Sequence, residues 1–204
     1  MNRSMQVAAL VSCLVSGSFA LADTAAVAPA NPDALAAIPD ILFIPTPNDV
    51  VVRMLELACV QRRDMVYDLG CGDGRILVEA AKKYGCRCVG YDIDPRRVEE
   101  SKENVKTGHV ESLVKIEKQD VLGVDLRRAS VVFLYLSPRA NVRLFPQLEK
   151  LAPGSRIVSH QFEIRGVKPD NVIEVESKED HHKHALFLWK TPLEKQTASD
   201  GRPP

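Results

Sequence analysis

The chain has 204 residues, 27 Lys and Arg balanced by 27 Asp and Glu, and 45% apolar residues. Balanced charge argues against a broad electrostatic grip on nucleic acid, and the apolar content is that of a globular α/β protein. Nothing beyond the N-terminal stretch is long and apolar enough to cross a membrane.

In chain order, Arg3 precedes an apolar, small-residue stretch from Val7 to Ala20, and Ala20-Leu21-Ala22 offers an A-x-A cleavage site. Residues 1–22 therefore read as a secretory signal peptide. That predicts an exported, periplasmic protein, or a cytoplasmic one if the stretch is not used for export. Residues 23–39 are rich in Ala and Pro and read as a flexible linker. One domain follows, over residues 40–190.

Its first helix opens at Thr46 as cap, with Pro47 in the first turn, Asp49 completing a capping box, and Val50, Val51, Met54, Leu55 and Ala58 as the apolar face. Strands are expected over 65–69, 87–91, 114–118, 130–135 and 156–162. Helices are expected over 74–84 and 95–106, the latter capped by Asp94 with Pro95 in first position. Another helix begins at Ser137-Pro138, and Pro146 restarts it. Segments 172–176 and 185–189 read as a closing antiparallel pair joined by a charged turn. The tail from Thr191 to Pro204 is polar and reads as disordered. The alternation predicts a Rossmann-like, doubly wound α/β fold in three α/β/α layers, mostly parallel with one antiparallel edge strand.

The segment Asp68-Leu69-Gly70-Cys71-Gly72-Asp73-Gly74 carries the most information. An apolar strand ends in an acid, a glycine loop follows, and a second strand ends in Asp92 after a helix, the layout of a nucleotide-type cofactor site. It is not the dinucleotide pattern, which needs glycine where Arg75 stands. Glycines let a ligand approach the main chain, and the carboxylates of Asp68 and Asp73 suit a cationic centre better than a pyrophosphate. Asp92 can accept both hydroxyls of a ribose.

This loop resembles motif I of the class I S-adenosylmethionine-dependent methyltransferases, and Gly90-Tyr91-Asp92-Ile93-Asp94-Pro95 is similar to the acidic segment that follows it there. Pro45-Thr46-Pro47-Asn48-Asp49, Leu136-Ser137-Pro138 and Arg156-Ile157-Val158-Ser159-His160 are most similar to one branch, which holds small prokaryotic methyltransferases and the ATP synthase c-subunit lysine methyltransferases. The resemblance implies S-adenosylmethionine as cofactor, held by Asp68, Gly70, Gly72, Gly74, Asp92 and, at the adenine, Asp120. It also implies a protein lysine as methyl acceptor, and Phe43, Pro45 and Thr46 folded over the cofactor.

Candidates at the rim for orienting or deprotonating an amine are Ser137, which otherwise caps a helix, and His160, which otherwise is a hydrogen-bonded strand-end histidine. His181, His182 and His184 contain metal-ligand types but read as a solvated turn, so no metal is expected. Cys59, Cys86 and Cys88 read as small buried thiols with no disulfide framework. Two alternatives remain: an exported, non-catalytic cofactor-binding protein, and a dinucleotide-dependent oxidoreductase, which Arg75 and the acids oppose.

Overall fold

A computed structural model describes residues 43–196. The expected signal peptide, the linker and the last eight residues of the tail lie outside the described residues. The elements are α1 (Asn48–Leu57), β1 (Met65–Leu69), α2 (Arg75–Tyr84), β2 (Arg87–Asp92), α3 (Pro95–Thr107), β3 (Val114–Lys118), a 3-10 turn (Val121–Gly123), β4 (Val131–Leu134), α4 (Pro138–Leu148), β5 (Arg156–His160), β6 (Asn171–Glu176) and β7 (Lys183–Lys190).

Among the described residues, seven strands form one sheet in the order β3-β2-β1-β4-β5-β7-β6. All neighbours from β3 to β5 are parallel, and β7 runs antiparallel to both β5 and β6. The chain winds outward from β1 to β3, then crosses to β4 on the other side. The carboxyl ends of β1 and β4 therefore flank the switch point where α/β sheets bind ligands.

Both sheet faces are covered, which is why β4 is four consecutive apolar residues. Val131 and Phe133 pack with Val50, Val51, Met54 and Leu55 of α1 and with Ile76, Leu77 and Ala80 of α2. Val132 and Leu134 face the other way, onto Leu144 and Leu148 of α4 and onto Trp189. Local signals fix the helix ends. Asp94 accepts the Arg96 N–H at 2.8 Å with Pro95 at the first position. Ser137 caps α4 through the Ala140 N–H at 3.3 Å. Gly85, at φ 66°, ends α2 and donates its N–H to the Ala81 carbonyl.

Several local expectations are corrected. The Thr46 hydroxyl does not cap α1. The first-turn amides of Asn48 and Asp49 donate instead to the Glu179 carboxylate, at 3.0 and 3.2 Å. Asp49 reciprocates by accepting from Ser177 Oγ and Lys178 N in the β6–β7 turn. Pro146 sits inside a continuous α4; the carbonyl that loses its partner belongs to Val142, on the exposed side, where water can serve it. Strand β5 stops at His160 because Gln161 adopts φ 67°. Cys59 is exposed. The tail begins later than Thr191, which is buried and accepts from the Ser155 N–H, and Lys195 bridges Val167.

Candidate active site at the carboxyl ends of the strands

Beyond Leu69 the chain turns through Gly70, Gly72 and Gly74, all with positive φ of 78°, 55° and 77°. The loop is strapped to the end of β2. The Gly70 and Cys71 amides donate to the Tyr91 carbonyl at 2.8 and 3.0 Å. Gly72 N–H donates to Asp92 Oδ2 at 2.9 Å, and Asp92 Oδ1 accepts from Asp94 N–H at 2.9 Å. Each Asp92 oxygen keeps a second lone pair, so a ribose diol can be accepted on top of these bonds. At Gly72 the positive φ favours glycine, and a Cβ there would stand 2.1 Å from Phe43 Cε2, so that the ring would have to move.

Asp68 is 3% exposed, and its carboxylate makes no hydrogen bond among the described residues. Burial first, then the nearby carboxylates of Asp92 and Asp73, push its pKa up to about 8. A carboxyl held in that state gains most from a cation placed beside it. Asp73 plays a different part from the one expected. Its charge is matched by Arg75, whose Nη2 lies 2.5 Å from Oδ2 and whose Nε donates to both oxygens. Arg75 Nη1 also donates to the Thr46 carbonyl at 2.9 Å, which fixes the segment preceding α1 over the loop. Phe43 of that segment covers Gly72, with the Arg97 guanidinium 4.4 Å from its ring centre.

The other edge of the site is the end of β5. His160 is buried, accepts or donates at Thr46 Oγ1 (3.0 Å) through Nδ1, and meets His184 Nδ1 at 2.8 Å through Nε2. His184 Nε2 lies 3.1 and 3.2 Å from the Asp180 carboxylate oxygens. Tyr135, just past β4, places its ring 4.0 Å from the His160 ring. Burial, then His184, hold the His160 pKa down at about 4.

The structure thus brings Asp68, Gly70, Gly72, Gly74 and Asp92 into one cradle and sets His160 across β4 from it. Asp120 stands at the end of β3, exposed, where its carboxylate caps the 3-10 turn through Leu122 N–H at 2.9 Å. The Ser137 hydroxyl is engaged as a helix cap. Cys71 is buried, and burial pushes its thiol up, away from a nucleophilic state. Among the described residues no group of three His, Cys, Asp or Glu is arranged to hold a metal. His184 is not the solvated turn residue that was expected, because strand β7 carries it to His160. Sequence reasoning missed Thr46 and His184 as partners of His160, and Asp180 as the partner of His184; contacts between distant parts of the chain bring Thr46 and His184 to His160. It also passed over Ile93, 53% exposed beside Asp92, an apolar surface suited to a ring face.

A family model for the ANTKMT methyltransferase domain matches residues 68–171. The protein-lysine N-methyltransferase of Saccharolobus islandicus (strain REY15A) is 44% identical over 154 residues, covering 74% of this chain and 94% of that protein. The chain belongs to the ANTKMT methyltransferase family. The mouse lysine N-methyltransferase that acts on the ATP synthase c-subunit is 32% identical over 137 residues, 63% of this chain and 52% of that one, so this chain spans about half of that relative. Among solved structures, an RNA methyltransferase from Salinibacter ruber in complex with S-adenosyl-L-homocysteine is 39% identical, with a TM-score of 0.68, over 78% of this chain and 100% of that one. This ANTKMT-family protein is an S-adenosylmethionine-dependent methyltransferase. Its cradle fits the donor: a buried carboxyl available to a cation, and an acid with free lone pairs for a diol.

Proposed function

We propose that the protein methylates the ε-amine of a lysine in a protein, and that Asp68, Gly70, Gly72, Gly74, Asp92 and Asp120 hold the methyl donor. The observation that carries the acceptor assignment is the 44% identity to a protein-lysine N-methyltransferase over 94% of that protein's length. The Salinibacter neighbour's name favours a second reading, RNA as acceptor. The balanced charge of this chain, 27 basic against 27 acidic residues, speaks for protein, because RNA readers present a basic surface.

When bound, S-adenosylmethionine supplies an electrophilic methyl carbon on a sulfonium. The chain's part is positioning. Asp68 provides negative charge in a water-poor pocket, where it acts more strongly than in solvent. Asp92 holds the sugar end and at the same time fixes the Gly72 amide. Phe43 and Thr46, tied down through Arg75, exclude water from the loop. The acceptor amine approaches over the end of β4, between the cradle and His160.

Labelled methyl donor offered together with a protein extract and a total RNA fraction tests the assignment. Label on protein lysines is the expected result, and label confined to RNA would overturn it. We read residues 1–22 as an export signal on pattern alone; cell fractionation tests that placement.

A further inference from the structure

The segment before α1 reaches across the sheet. Its Thr46 carbonyl is held by Arg75 of the cradle at the end of β1, while its Thr46 hydroxyl is held by His160 at the end of β5. The strand between β1 and β5 is β4, so Thr46 bridges the ground over which the acceptor approaches. From Thr46 a continuous line of hydrogen bonds runs outward: Thr46 Oγ1 to His160 Nδ1 at 3.0 Å, His160 Nε2 to His184 Nδ1 at 2.8 Å, His184 Nε2 to Asp180 at 3.1 Å.

Resting on the lysine reading above, we propose that Thr46, His160, His184 and Asp180 form a directed relay that carries the proton of the acceptor ammonium out to solvent. The direction follows from the outer end. Asp180 is held ionised by the His182 amide and by His184, so it can only accept, and His184 must present Nε2–H to it. With its proton on Nε2, His184 accepts at Nδ1, so His160 donates from Nε2 and accepts at Nδ1. That leaves the Thr46 hydroxyl donating to His160, with its oxygen lone pairs available to an N–H on the acceptor side. Burial keeps His160 neutral, so the proton does not lodge there.

The transfer balances. The ammonium gives a proton to Thr46 Oγ as the Thr46 hydroxyl proton moves to His160 Nδ1. The His160 Nε2 proton moves to His184 Nδ1, and the resulting imidazolium is paired with Asp180. His184 sheds the charge to water; once product has left, the starting tautomers return by the reverse displacement, a proton entering at His184 and one leaving from Thr46 Oγ to water in the emptied site. The neutral amine then forms its bond to the methyl carbon while the carbon–sulfur pair stays on sulfur. Thr46 alone meets the substrate; His160, His184 and Asp180 are positioning residues. The titratable groups around His160 are His184 from β7, Asp180 from the β6–β7 turn and Tyr135 from the end of β4, whose phenol burial keeps protonated. Among the described residues, the segment before α1 contributes Thr46 and no titratable side chain.

Two measurements test the relay. Imidazole 15N spectra of the full-length protein should show His160 and His184 as Nε2–H tautomers near neutral pH; an Nδ1–H tautomer at His160 would overturn the direction assigned. The second is the pH profile of kcat on a peptide containing the lysine labelled in the protein extract. His184→Gln keeps an acceptor for His160 but cannot pass a proton, and Asp180→Asn keeps the geometry without the charge. Both should lower kcat at pH 7 by about 10²-fold. The deficit should close as pH rises toward about 10, where lysine loses its proton unaided, with the KM for S-adenosylmethionine unchanged. A loss equal at every pH, or no loss, overturns the relay alone while the lysine assignment stands. Failure of the wild-type protein to label any lysine overturns both.

Discussion

The raised pKa of Asp68 makes donor binding a proton-releasing event. In the empty cradle the carboxyl titrates near pH 8, so at pH 6.5 it is protonated. The α-amino group of the ligand titrates at about 7.7–8.0 and is still charged at that pH. A cation docking beside Asp68 draws the proton off. Holding the carboxyl ionised at pH 6.5 costs about 2 kcal/mol relative to its titration point, or roughly 30-fold in affinity, and that cost fades by pH 8. Calorimetry in buffers of different ionisation enthalpy should therefore count about one proton released per S-adenosylmethionine at pH 6.5. Wild-type affinity should improve by roughly tenfold between pH 6.5 and 8, since at pH 8 about half of the carboxyl is still protonated and about half of the ligand amine is uncharged. Asp68→Asn should release none and should bind more weakly at pH 8. No proton release from the wild type at pH 6.5, or equal release from the variant, would refute the reasoning.

The same carboxyl sets a stability trend in the empty protein. Its folded pKa lies above its unfolded value, so its contribution is full below about pH 4 and is lost as pH rises to about 8. Thermal melts without ligand should show Asp68→Asn gaining on the wild type between pH 5 and 9, and a constant difference across that range would contradict the assignment. Gly72→Ala places a Cβ against Phe43 at φ 55° and should cost about 1–2 kcal/mol of backbone strain, with Phe43 displaced and donor affinity reduced at least tenfold by calorimetry. Asp92→Asn keeps an acceptor for one backbone amide but loses the charge-assisted bonds to the ribose; affinity should fall more than tenfold while the melting temperature shifts by only a few degrees. Arg75→Ala frees Asp73 and the Thr46 carbonyl together, and limited proteolysis should then cut ahead of α1 faster than in the wild type.

Much of this was legible in the sequence because the signals are local. The glycine spacing and the acids that end β1 and β2 specify the cradle within about 25 residues, and Asp94-Pro95 and Ser137-Pro138 name their own helix starts. Continuous burial of Val131 to Leu134 announces a central strand. What sequence could not show depends on pairing over long distances. Thr46 looked like a helix cap because its neighbours suit one, yet Glu179, 131 residues beyond Asn48, takes that role and releases the hydroxyl to His160. Asp73 looked like ligand-facing charge, because nothing in the order of residues shows that the Arg75 side chain folds back onto it. His184 looked solvated until the antiparallel register of β5 and β7 set it beside His160.

A crystal structure of the protein with S-adenosylhomocysteine tests the central claim most directly. The account predicts the ammonium group beside Asp68, the ribose hydroxyls on Asp92 and the main chain of Gly70 to Gly74 against the ligand. A product molecule bound away from the cradle, or in it with the ammonium turned from Asp68, would contradict it.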